Sequence, residues 1–86
     1  MNLFSVKGKI CCVTGAGRGI GYELAKALSQ SGAIVVGLDL EYSEDKSEMA
    51  HAVTIDLTKD SSPSTVFNYI QETYGKLDIL LNCAGI

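Results

Sequence analysis

"TGAGRGIG", Thr14 to Gly21, lies between the apolar run "KICCV" (Lys9 to Val13) and a segment of helical period, and this junction decides the architecture. The run shows no alternation of apolar and polar residues, as expected for a strand covered on both faces. Beyond the glycines, Ile20, Leu24 and Leu28 recur with Ala25 and Ala27 beside them. That spacing predicts an amphipathic helix from about Gly19 to Ser31, stopped by Gly32. A strand that turns through glycines into a helix is the opening of a parallel α/β unit.

Outward from this unit, "AIVVGLDL" (Ala33 to Leu40) reads as a second strand. The acidic "EYSEDKSEM" that follows is too short for a long crossover helix and is expected to form a loop with at most a turn or two of helix. A third strand is expected from about Ala52 to Ile55, ending at Asp56. Ser62 and Pro63 supply an N-cap and a first helical position, and Val66, Phe67, Ile70 and Tyr74 form the apolar stripe of a second helix up to Gly75. A fourth strand runs from Leu77 to about Leu81. The order implies one α/β unit over residues 1–86 with a parallel sheet and right-handed crossovers.

Composition narrows the function classes. The 86 residues carry a formal charge of -3 and are 47% apolar, which fits a small globular domain and offers no cationic excess for a nucleic-acid backbone. The longest apolar run, around "GAIVVGL", is far short of a membrane span, and the start lacks a signal-like apolar stretch. A soluble, unprocessed protein of the reducing cytoplasm is therefore expected. Cys11, Cys12 and Cys83 form no C-x-x-C pair, so neither a zinc site nor a disulfide framework is indicated. Cys11 and Cys12 should point to opposite faces of the first strand as small buried hydrophobes. His51, the one histidine, has no acidic company in sequence and reads as a surface or partly buried residue.

The glycine turn can be tested letter by letter. A P-loop needs Lys after its last glycine, and Tyr22 follows Gly21. The G-x-G-x-x-G/A fingerprint needs Gly or Ala where Ile20 stands. What fits is T-G-x-x-x-G-x-G, with Thr14, Gly15, Gly19 and Gly21. Gly15 can take the sharp exit from the strand, Gly19 lets backbone approach a pyrophosphate, and Gly21 lets the helix pack close. The helix N-terminus then offers N–H groups and partial positive charge to an anion. Arg18, at the crest, faces either those phosphates or solvent.

Together with "IDLT" (Ile55 to Thr58) and "NCAG" (Asn82 to Gly85), this turn resembles the short-chain dehydrogenase/reductase family. The resemblance spans essentially the whole chain and implies a partial doubly wound Rossmann fold: about four parallel strands in the order 3-2-1-4, with the two helices on opposite faces. It implies cofactor contacts at Gly15, Arg18, Gly19, Ile20, Gly21, Asp39, Asp56, Leu57, Asn82, Ala84 and Gly85. Asp39, at the end of the second strand, would accept the adenosine ribose hydroxyls, and its charge favours NAD over NADP by opposing a 2′-phosphate. Asp56, by itself a turn former, would hold the adenine amino group. Asn82 matches the first Asn of the family's Asn-Asn-Ala-Gly element and Cys83 replaces the second, which puts the second Asn's sheet-tying bonds in question.

In the family, a Tyr-x-x-x-Lys pair moves the proton while the nicotinamide moves the hydride. Tyr22 and Lys26 have that spacing, but they lie next to the phosphate turn. At about 100° per residue they are expected on the helix face opposite Leu24. The family's active-site helix comes after the fourth strand. No catalytic residue is therefore expected in this chain, which reads as the dinucleotide-binding portion of an NAD-dependent oxidoreductase acting on an alcohol or carbonyl substrate in its full-length form. Alone, it should bind cofactor weakly, expose the fourth strand as an edge and leave room for homo-oligomers. The alternatives are a non-catalytic nucleotide-binding or regulatory module and a protein–protein subunit whose glycine turn is only structural.

Overall fold

The four apolar runs are the four strands of one parallel sheet in a computed structural model that describes residues 6–42, 49–56 and 62–83. The elements are β1 (Ile10–Thr14), α1 (Gly19–Gln30), β2 (Ile34–Asp39), β3 (His51–Thr54), α2 (Ser62–Tyr74) and β4 (Ile79–Asn82). The sheet order is β3-β2-β1-β4. β1 pairs with β2 from Ile10–Ile34 to Thr14–Leu38 and with β4 from Cys11–Ile79 to Thr14–Asn82. Most of the acidic loop, residues 43–48, and the expected site residues Leu57, Ala84 and Gly85 lie outside the described residues.

β1 is central and wholly buried because it is paired on both edges and covered on both faces. Its side chains alternate between two cores. Cys11 and Val13 join Val35, Tyr22, Ala25 and Leu28 beneath α1. Ile10 and Cys12 join Val36, Leu38, Val66 and Ile70 beneath α2. The adjacent cysteines thus serve opposite layers. Each fully buried Leu, Ile or Val contributes about 1.5–3 kcal/mol through removal from water.

α1 ends where Gly32 was expected to stop it. The Ala33 N–H donates to the Leu28 carbonyl and the Gly32 N–H to that of Ser29, each at 3.0 Å, which satisfies two terminal carbonyls. At the amino edge of the sheet, Asp78 Oδ2 accepts the Ile10 N–H at 2.8 Å. That bond, helped by Lys76 and Lys9, holds the Asp78 carboxyl below its usual range even though it faces water.

Two side-chain placements correct the sequence reading. Phe67 does not belong to the buried stripe of α2: Val66 and Ile70 are buried, whereas Phe67 is exposed. α1 is also rotated relative to a stripe centred on Leu24. Its buried residues are Gly21, Tyr22, Ala25 and Leu28, while Ile20 is 78% exposed. His51 is half-buried, with the rings of Tyr69 and Tyr74 edge-on to it at 5.4 and 6.0 Å.

Candidate cofactor site

The carboxyl ends of β1, β2 and β3 and the end of β4 meet along one edge of the sheet, because all four strands run parallel and in register. The glycine turn leaves β1 at that edge. Gly15 has φ 68°, so the chain reverses at once, and the N–H groups of Gly15 and Ala16 both donate to the Leu38 carbonyl, at 2.8 and 3.2 Å. The turn is thereby fastened across the end of β2.

Gly21 sets the approach of α1. A Cβ there would be driven into the Gly15 carbonyl group, 2.7 Å from its carbon. The bare Cα lets the first turn of α1 lie directly on the strand exit, and this contact fixes the rotation of the helix. Residues 21, 25 and 28 consequently face the sheet, and Tyr22 turns inward with them. Tyr22 is a core residue, 7% exposed, rather than part of a solvated face. The Tyr22–Lys26 spacing therefore places a core tyrosine, not an open one, at the glycine turn.

The N-terminus of α1 is left open. Arg18 is the N-cap in extended conformation, no side chain caps the first amides, and the first turn carries no acidic residue. Gly19 has φ 64°, and a Cβ on it would meet nothing within 4 Å. Its bare Cα answers to no neighbour in the protein. Exposed Arg18 and Ile20 flank it. This helix end can receive an anion with N–H donors and a favourable dipole.

Asp39 closes the adjoining side. Its Oδ2 accepts the Gly17 N–H at 2.9 Å and its Oδ1 accepts the Leu40 N–H at 2.7 Å. Beneath it, the Tyr42 hydroxyl lies 2.6 Å from the Val53 carbonyl oxygen and 3.0 Å from that of Gly37. Burial, with Asp39's charge adding to it, pushes the Tyr42 phenol up to about 12. Asp56 follows β3 at the same edge, half-buried.

On the other side of β1, the Thr14 hydroxyl donates to Asn82 Oδ1 at 2.7 Å and accepts the Cys83 N–H at 3.0 Å. The Cys83 N–H also lies 3.2 Å from the Thr14 carbonyl. The tie between β1 and the end of β4 therefore uses the backbone of residue 83, so a thiol in place of an amide does not undo it. Among the described residues, no cluster of His, Cys, Asp or Glu could hold a metal ion.

Gly15, Arg18, Gly19, Ile20, Gly21, Asp39, Asp56 and Asn82 are thus brought to one edge of the sheet. Sequence reasoning gave no weight to Gly17, Leu40, Tyr42 or the double role of Thr14. The signal available for Gly17 was a fourth glycine, at a variable letter of the turn.

Fold and sheet order define a Rossmann-type α/β unit. Comparison with known proteins sharpens this: the short chain dehydrogenase family matches residues 9–86, and the chain belongs to it. The NAD-dependent glycerol dehydrogenase of Listeria innocua is 37% identical over 91 aligned positions, which cover 96% of this chain and 35% of that protein. Among solved structures, a short chain dehydrogenase of Leptospira borgpetersenii with bound NAD+ superposes with a TM-score of 0.84 at 29% identity, covering all of this chain and 35% of that one. The aldohexose dehydrogenase of Thermoplasma acidophilum gives 0.83 at 30% identity, covering 95% and 31%. The chain spans about a third of the length of the relatives it matches. No described helix is long and apolar enough to cross a membrane.

Proposed function

We propose that the chain is the adenosine- and pyrophosphate-binding part of an NAD-dependent oxidoreductase whose full-length form acts on an alcohol or carbonyl substrate. The observation that carries the reading is Asp39: a carboxylate fixed by two backbone N–H groups at the end of β2, beside the uncapped N-terminus of α1. An anion-receiving helix end next to a fixed acceptor matches a ligand with a pyrophosphate at one point and a ribose diol at another. The residues present fit NAD, because Gly19 leaves open the space a side chain would fill.

In this reading the N–H groups at the start of α1 bind the pyrophosphate, and Gly19 keeps that surface free of side chains. Asp39 accepts the ribose hydroxyls and repels a 2′-phosphate. Asp56 and Leu57 border the adenine, and Asn82, Ala84 and Gly85 border the second ribose. Bound NAD supplies the hydride-accepting chemistry. The proton-transferring residues belong to the full-length protein, so this chain alone binds weakly and does not catalyse. A reducing, cytoplasmic setting is part of the same proposal, resting on three cysteines that are all unpaired.

Calorimetric titration with NAD and NADP tests the reading. The expected result is saturable NAD binding, weaker NADP binding, and loss of both in Gly19→Asp, which puts charge and bulk where the anion would lie. An NAD affinity untouched by Gly19→Asp overturns it.

A further inference from the structure

Gly17 stands at a variable letter of the turn, yet it is tightly engaged. A Cβ built on it is driven into the Glu41 carbonyl and lies 2.9 Å from Asp39 Oδ2. Its N–H donates to that same oxygen at 2.9 Å, while the Leu40 N–H donates to Oδ1 at 2.7 Å. Two backbone donors, one from the turn and one from the end of β2, hold a single carboxylate by both of its oxygens.

A carboxylate has about four lone-pair sites, two on each oxygen. One site on each oxygen is taken by an amide, which leaves one on each for a ligand. Two adjacent acceptors of this kind match the paired hydroxyls of a ribose. They oppose a phosphate, which carries like charge and brings no proton to share. A carboxylate free to rotate could swing aside and relieve that repulsion. This one cannot do so without leaving the Gly17 N–H without its acceptor, a loss on the scale of a charge-assisted hydrogen bond. The close approach of turn and strand end that makes the bond requires a residue without a side chain at position 17.

We infer that Gly17 is a specificity-determining positioning residue: through its N–H and bare Cα it locks the Asp39 carboxylate in the orientation that accepts the adenosine ribose diol and rejects a 2′-phosphate. This rests on the proposed NAD site. It assigns discrimination between the two dinucleotides to a pair of residues from different elements, with Asp39 supplying the charge and Gly17 the rigidity.

Dissociation constants for NAD and NADP are to be measured by calorimetry on the protein, on Gly17→Ala, on Asp39→Ala and on the double variant. Hydrogen exchange of the Gly17 amide is followed in the wild type and in Asp39→Ala. Gly17→Ala should reduce the preference for NAD over NADP by about tenfold, the scale of one hydrogen bond to a charged group. In the Asp39→Ala background, the same substitution should leave the ratio unchanged, because the group it positions is gone. The Gly17 amide should exchange slowly in the wild type and faster in Asp39→Ala, a readout that does not depend on Gly17→Ala folding. An unmoved NAD:NADP ratio in Gly17→Ala, an equal effect in both backgrounds, or Gly17 exchange indifferent to Asp39→Ala overturns the inference. Wild-type protein that binds no NAD overturns the underlying reading as well, whereas NAD binding with an unmoved ratio overturns the inference alone.

Discussion

The hydroxyl of Thr14 and the side-chain amide oxygen of Asn82 are 2.7 Å apart, joining the carboxyl ends of β1 and β4 at the edge where the site lies. Because the same hydroxyl accepts the Cys83 N–H, one oxygen fixes two consecutive residues of β4's exit. Thr14→Val keeps the shape and removes both bonds. It should cost about 1–2 kcal/mol in urea unfolding, with Thr14→Ser recovering most of the loss.

Gly21 and Gly19 should separate under the same substitution. Gly21→Ala forces a methyl into the Gly15 carbonyl, a backbone group that cannot give way, and is expected to destabilise by about 3 kcal/mol or more. Gly19→Ala meets no protein atom and should cost only the about 1–2 kcal/mol of a left-handed backbone. Thermal melts of the two variants, run side by side, check the ordering.

Tyr42 links the loop after β2 to the carbonyls of Gly37 and Val53. Tyr42→Phe should lower stability by about 1–2 kcal/mol by leaving those acceptors short of a donor. The phenol also predicts an alkaline limit. Its folded value, about 12, lies above the ordinary 10, so the stability it contributes is fully present below pH 10 and is lost as the pH rises towards 12. Denaturant midpoints across that window should fall in the wild type and fall less in Tyr42→Phe.

The cysteines should react in order of access. Cys11 and Cys12 are fully buried, and burial raises both thiols, with Cys12 pushed to about 11. The thiolate is the reactive form, so these two should be inert in the folded state. Half-buried Cys83 should label first with a disulfide reagent. All three should react together once denaturant is added, as mass spectrometry of the adducts would show.

The elements themselves were legible in the sequence because their signals are local. Apolar runs gave the strands, helical periodicity gave both helices, and the observed limits differ from the expected ones by a residue or two. The rotation of α1 was not legible. A stripe drawn through Ile20, Leu24 and Leu28 weighs apolar letters alone, whereas the helix is oriented by Gly21, which has no side chain to count. Phe67 misled in the same way: its apolarity suggested burial, but position on α2 decided exposure. Within the site, the position of Asp39 followed from where the second strand ends, and that of Asn82 from the resemblance of "NCAG" to the family's element. The hold of Gly17 and Leu40 on Asp39 did not, because it runs through backbone N–H groups that every residue but proline shares.

The bond that the Cys83 N–H donates to the Thr14 hydroxyl makes the tie between β1 and β4 independent of the side chain at position 83. Any residue with an amide proton can make that tie, so the half-buried side chain at the rim of the candidate site answers only to its packing against the core beneath α1. Here that side chain is a thiol, and it offers a ready attachment point: a small fluorophore on Cys83 would sit one residue from Asn82 without severing the tie between β1 and β4.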